Sequence, residues 1–353
     1  MSGNESPVGG QAVIEGVMMR TARGVAIAVR RADGRIVVRS EPYCPITKRI
    51  RWLRFPIIRG AVSLFEMLAI GYRALQFSAD EATKDAKAAE AQKQGKVASE
   101  KEGEEATGMS KLEMAGTMAL SLVIAIALFV VVPNLATHYA AILFTGQGDR
   151  RLLEEQSPIL YNLVSGMIRV AITVGYIAAI SLMPDVRRLF QYHGAEHKTV
   201  SAYEAGKPLT VENVRPFTTL HPRCGTTFIA IVLIVAILVF AVYARILMLV
   251  WPEFGTLPFA LRKTFLILSH ILLMPVIAGV CFELLRLGGK YPNNPLIRIL
   301  ITPGYWFQRL TTKEPDDSML EVAICALEAA FEPAAEPAER IIEPAQDLQL
   351  AAG

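Results

Sequence analysis

Between Phe228 and Val242 the chain carries neither a charge nor a proline, and the apolar run around it extends from Thr226 to Trp251. Crossing a hydrocarbon core of roughly 30 Å takes about 20 helical residues at about 1.5 Å each, so this stretch reads as a membrane span. Three others reach the same length: residues 114–133, closed by Pro133; residues 159–183; and residues 264–287, which run through Pro275. An apolar continuation from Leu135 to Phe144 fits the outer interface. The expected fold class is therefore mainly α, a polytopic membrane protein of about four transmembrane helices. A small N-terminal β-hairpin and several cytoplasmic helices complete it.

Composition supports this reading. A length of 353 residues would suit two soluble domains, but 52% of the chain is hydrophobic and only 20% is charged. A net charge of +3 with no basic stripe excludes a nucleic-acid partner. The four cysteines (Cys44, Cys224, Cys281, Cys325) are widely spaced, which argues against a disulfide framework. The polar N-terminus lacks the apolar core of a signal peptide, so insertion is expected through the internal spans.

Orientation follows from the basic residues. Residues 1–75 hold twelve Lys/Arg against five Asp/Glu, and residues 184–225 hold six Lys/Arg, whereas the two other connections carry Arg150 and Arg151, then Arg262 and Lys263. Positive charge marks the cytoplasmic side, so both termini and the 184–225 loop are expected there, in a multi-pass protein of the cell membrane.

Five regions are expected. Residues 1–77 combine a hairpin, signalled by Asp33-Gly34 between Val25–Val29 and Arg35–Val38, with an amphipathic helix over Pro56–Phe77. The polar stripe of that helix is Arg59, Ser63, Glu66 and Arg73, and it suits the membrane interface or the side of the bundle. Residues 78–111 read as a charged linker, disordered or loosely helical. The four-span domain covers 112–310, an amphipathic helix covers 311–331, and a Pro/Ala/Glu-rich disordered tail covers 332–353.

The chemistry concentrates in the 184–225 loop. Pro184-Asp185 can start a helix and Gly206 can end it. His193 and His197 then stand one turn apart on one face, a spacing that lets two imidazoles bind one divalent ion. Glu196 precedes the second histidine, as in inverted zincins, where the carboxylate is the general base for water at the ion. Downstream, His221-Pro-Arg-Cys224 offers an imidazole and a thiol. If His193, His197, His221 and Cys224 all bind, the sphere closes and the site is structural. With either His221 or Cys224 as third ligand, a divalent metal such as zinc can be catalytic. Glu204 lies about 10.5 Å along the helix from His197, too far for the same ion.

Ionisable groups inside spans are expensive and mark functional positions. Arg169 and His270 fall at similar depth and could line one polar pocket. Glu283, near the cytoplasmic end of the last span, is either an additional ligand or an ion-pair partner of a nearby base.

Four segments together resemble the YqhQ-like family of bacterial membrane proteins: Gly9–Arg20, Phe190–Thr199, Leu209–Arg215 and His221–Thr226. The similarity covers roughly residues 7–330, without the charged linker and the tail. It implies a domain of unknown function predicted to be a metal-dependent enzyme. In the N-terminal segment Gly9, Gly10 and Gly16 permit tight turns. Gln11, Glu15 and Arg20 are then presented from a compact loop, as a lid or substrate clamp or simply as a lead into the hairpin. With Glu66, they are the residues expected to reach substrate or to support the ligands.

The leading expectation is a metal-dependent hydrolase at the cytoplasmic membrane face, acting on a lipid-linked or membrane-peptide substrate with Glu196 as base. One alternative is transport or metal handling along Arg169, His270 and Glu283, which four spans without a repeat could support only as a homo-oligomer. Another is a membrane scaffold in which the metal fixes the loop and the C-terminal helix docks a soluble partner.

Overall fold

A computed structural model describes residues 8–93, 111–145, 158–291 and 294–343. The Asp33-Gly34 turn forms as expected, with Gly34 at φ 90° in the left-handed region that glycine tolerates. It joins β3 (Gly24–Arg30) to β4 (Ile36–Pro42), but this hairpin is only the centre of a larger sheet. The Gly9–Arg20 segment is a second hairpin rather than a compact loop: β1 (Gly9–Val13) and β2 (Gly16–Arg20) pair antiparallel through a turn holding Glu15 at φ 50°.

Part of the expected disordered tail is also ordered. β5 (Ala338–Ile342) pairs with the outer edge of β4 and completes a five-stranded antiparallel sheet in sequence order. Most of its residues are exposed and only Ile342 packs against the core, so its pairing depends mainly on the hydrogen-bonding groups offered by the edge of β4.

Alternation along the strands divides the sheet into two buried faces. Val17, Met19, Ala26, Ala28, Ile36 and Val38 face one core, while Val13, Met18, Val25, Ile27, Val29 and Val37 face another. Burial on both sides explains why these strands read as continuous apolar runs.

α1 (Ile46–Arg49) and a 3₁₀ turn (Arg51–Arg54) lead into α2 (Ile58–Lys93), whose Ile70, Ala74 and Phe77 cover the second face. The expected boundary at residue 77 does not interrupt this helix. Its charged half is anchored by buried Glu81, which pairs with Lys84 and Arg31, and by Asp85, which pairs with Arg31 at 3.1 Å. Residues 94–110, the rest of the expected linker, lie outside the described residues.

The apolar 111–145 stretch forms α3 (Lys111–Ile126) and α4 (Val132–Thr145), separated by a π-helical turn at Ala127–Val131. Pro133 has no N–H to donate to the preceding turn, a defect that π-turns accommodate. α5 (Pro158–Ile180) is followed by α6 (Pro184–Glu204), with Pro184 at its start and Gly206 (φ 68°) just beyond its end, as expected. A short α7 (Val211–Val214) and the His221–Cys224 loop lead to α8 (Gly225–Val250), α9 (Phe259–Lys290), α10 (Pro295–Thr311) and α11 (Asp317–Phe331).

Among the described residues three helical segments are long and apolar enough to cross a membrane: Ile159–Ile180, Gly225–Val250 and Thr264–Gly289. α8 packs against α5, α9 and α10. α11, the helix that the scaffold alternative offers to a soluble partner, is packed into the chain itself. Its N-cap Asp316 accepts a hydrogen bond from the Met319 N–H, and Met319, Leu320, Val322–Leu327, Ala329 and Ala330 are all buried against the sheet and α6. The sheet, α6 and α11 thus form one layered unit from three separated regions of sequence.

Candidate metal centre

On α6 the rings of His193 and His197 stand 4.5 Å apart. Each is oriented by a backbone carbonyl: His193 Nδ1 lies 2.8 Å from Thr311 O at the end of α10, and His197 Nδ1 lies 2.5 Å from Thr219 O. A carbonyl only accepts, so each Nδ1 carries the proton and each Nε2 presents a lone pair. The His193 Nε2 is 3.2 Å from Cys224 Sγ. Cys224 caps the N-terminus of α8, where its sulfur accepts from the Thr226 N–H at 3.4 Å. One ring nitrogen of each histidine and this sulfur all lie within 4.8 Å of one another, where one metal ion could be held.

Glu196 stands beside this triad, not in it. Its Oε2 is 3.5 Å from His197 Nε2 and 4.0 Å from His193 Nε2. Burial pushes its pKa up, opposed by the His193 and His221 imidazoles and by a hydrogen bond from the Gly10 N–H. β1 comes so close here that a Cβ on Gly10 would sit 2.7 Å from Glu196 Cγ. Gly10 of the N-terminal signature therefore packs against Glu196 through its backbone.

His221 is adjacent to the triad and is not a member of it. Its ring is 5.7 Å from that of His197. Gln308 of α10 clamps the His221 main chain: Oε1 accepts from the His221 N–H at 2.8 Å, and Nε2 donates to His221 O at 2.7 Å and to Thr227 Oγ1 at 2.5 Å. The Arg223 N–H points at His221 Nδ1 from 3.4 Å, which places the imidazole proton on Nε2. That Nε2 is buried, makes no hydrogen bond among the described residues, and lies 3.5 Å from Glu204 Oε2. Glu204 pairs with Arg223 and faces His221.

The other candidates lie elsewhere. Alternation turns Gln11 to the opposite face of the sheet, where its carboxamide packs on Gly71 of α2. Glu15 holds α6 through Arg188 (Oε1 to Nε, 2.6 Å) and Tyr192. Arg20 lies over the Tyr43 ring and donates to its hydroxyl at 3.2 Å, while Glu66 accepts from the Ile46 N–H at 3.0 Å. Glu283 is taken by a two-pronged ion pair with Arg59 (2.9 and 2.6 Å), with Arg286 at 3.9 Å, so the ion-pair alternative for this residue holds. His270 stacks on Phe240 at 4.0 Å, and Arg169 is half-buried in α5.

Gln308, Thr219 and Thr311 were not found from sequence, and Gly10 was noted only as a turn residue. Thr219, Thr311 and Gly10 act through backbone groups, which leave no mark on residue type. Gln308 is separated from His221 by 87 positions.

Burial pushes the pKa values of His197 and His221 below the ordinary 6.5. The unfolded chain therefore binds protons first as pH falls through about 6.5, and the metal-free fold should lose stability in that direction. Glu196, whose raised pKa works the other way, opposes this loss in part. Thermal unfolding of chelator-treated protein should give a lower midpoint at about pH 5.5 than at about pH 7.5, with a smaller difference in His221→Gln.

The model of a family described as proteins of unknown function (DUF1385) matches residues 55–333. The uncharacterized protein YqhQ of Bacillus subtilis (strain 168) is 33% identical over 346 residues, covering 95% of this chain and 97% of the relative. No solved structure matches the chain. With most of its length matched by both, the chain belongs to the DUF1385, YqhQ-like family, whose function is not assigned.

Proposed function

We propose that this chain is an integral membrane metallohydrolase whose site faces the cytoplasm, with His193, His197 and Cys224 holding a divalent ion such as zinc. The observation that carries the proposal is the pair of imidazoles, each with its proton committed to a backbone carbonyl so that both Nε2 lone pairs converge with a thiol. Two nitrogens and one sulfur suit zinc, and three protein donors are the number used in catalytic sites. An ion bound there would lower the pKa of water towards neutrality and polarise an acyl or phosphoryl oxygen.

The protein's own groups supply the rest. Glu196, kept basic by burial and aligned by the Gly10 N–H, takes the proton from the attacking water. His221, with its proton on an Nε2 that faces Glu204 at 3.5 Å, stands beside the ion and would orient the polar groups around it rather than bind it. In this reading residues 111–145 supply the fourth crossing, so that both termini are cytoplasmic, as the distribution of Lys and Arg requires. A lipid-linked or membrane-peptide substrate suits a site beside the start of span α8.

Metal analysis tests the proposal. Protein purified without added metal should contain about one zinc or similar ion per chain, removable by a chelator and restored on dialysis. Metal-free protein that takes up no divalent ion would rule it out.

A further inference from the structure

The connection between the sheet and α2 has no described tertiary cover over most of its side chains. From Ile46 to Ile58 it carries Lys48, Arg49, Arg51 and Arg54, all exposed, and no acidic residue. Interleaved with them, Trp52 is 61% exposed and Phe55 64%, and Ile46, Ile50, Ile57 and Ile58 are exposed as well. Arg54 ties the segment into a hook by donating to Thr47 O (3.0 Å) and Lys48 O (2.8 Å). The apolar surface continues along one side of α2 through Phe65, Leu68, Tyr72 and Leu75, which recur at helical spacing and are likewise exposed.

Rigid contacts fix where this surface lies relative to the spans. α2 packs against α9: a Cβ on Gly60 would sit 2.9 Å from Gly279 O, and the Ile57 carbonyl occupies the space a side chain at Gly279 would need. Ile57 itself is held at φ 71°, an unfavourable conformation for a β-branched residue that this contact maintains. Arg59 then locks onto Glu283, less than two turns before the end of the apolar Thr264–Gly289 segment. The hook is therefore held beside one end of a span, at the depth of lipid headgroups if that segment crosses the membrane.

We propose that Ile46–Ile58, continued by the exposed stripe of α2, is a docking surface for a leaflet rich in anionic lipid. Trp52 and Phe55 enter the boundary of the acyl chains, and Lys48, Arg49 and Arg51 meet phosphate headgroups. Two features argue for lipid over a soluble partner. The helix that carries the surface packs directly against one that is itself apolar enough to cross a membrane. Its charge is also of one sign and interleaved with aromatic and aliphatic side chains, as in helices that lie in the bilayer interface. The proposal rests on reading the apolar helices as membrane spans.

The test uses full-length protein in lipid nanodiscs, with single-tryptophan versions that keep either Trp52 or Trp251. Bromine-labelled acyl chains should quench Trp52 as they quench Trp251, which lies at the end of α8. Quenching of Trp251 alone overturns the proposal but leaves the membrane reading intact, and quenching of neither overturns both. In mixed nanodiscs, labelled phosphatidylglycerol should be enriched around the protein over phosphatidylcholine by roughly threefold or more. That enrichment should fall close to parity in the triple variant Lys48→Gln, Arg49→Gln, Arg51→Gln. Equal enrichment in the wild type and the triple variant overturns the anionic selection. A change of oligomeric state on Trp52→Ser without quenching assigns the surface to a second copy of the chain and overturns the proposal as well.

Discussion

Alanine at His197 or Cys224 is expected to empty the ion site, whereas alanine at His221 is expected to leave it loaded. The apparent binding free energy of a four-ligand structural zinc site is about 10–16 kcal/mol, or about 2.5–4 kcal/mol per ligand. Loss of one of three protein donors should therefore weaken binding by a hundredfold to a thousandfold, to order of magnitude. His221 escapes because its Nδ1 accepts from the Arg223 N–H and its Nε2 turns to Glu204. Metal content per chain reads both outcomes. In cobalt-loaded protein the sulfur-to-metal absorption should vanish in Cys224→Ala and persist in His221→Ala. If His221→Ala lost its metal in step with His197→Ala, His221 would be a ligand, and a closed, structural site would replace the catalytic one.

Glu196→Gln separates an enzyme from a scaffold. Glutamine keeps the shape of the side chain and an oxygen for the Gly10 N–H, but it cannot take a proton. Metal stoichiometry should be unchanged, while turnover of an ester or amide substrate presented in the bilayer should fall by about 10²–10⁴, the usual contribution of a general base. A scaffold with a structural ion would tolerate the change in every assay. The variant should also unfold at a slightly higher temperature, because burying a carboxylate costs more than burying its neutral amide. That shift verifies that the protein is folded independently of the activity readout.

How much of this was legible in the chain follows from the range of each interaction. The His193/His197 pair could be read because helical periodicity alone places residues four apart on one face. The same rule set Glu204 aside, but could not foresee that His221 would come to meet it. Whether His221 or Cys224 supplies the third donor depends on the conformation of a four-residue loop, and that loop is held by Gln308 from a distant helix. The C-terminal helix was found, but its role was not. An amphipathic pattern indicates that one face is buried, and the small residues Ala323, Ala326, Ala329 and Ala330 allow burial all round without announcing it. β5 left only the pair Ile341-Ile342 as an apolar trace, because main-chain pairing with the edge of β4 defines most of it.

By itself, then, the sequence determined the apolar helices, the hairpin at Asp33-Gly34, the α6 boundaries and the convergence of two imidazoles. All of these depend on local backbone geometry or on the cost of exposing apolar surface. Only the tertiary structure decided that Cys224 joins the imidazoles while His221 stands beside them. It also joined three distant regions around one sheet and brought the Gly10 backbone onto Glu196. Those outcomes depend on carbonyls and N–H groups, which every residue carries and which only a folded chain can aim.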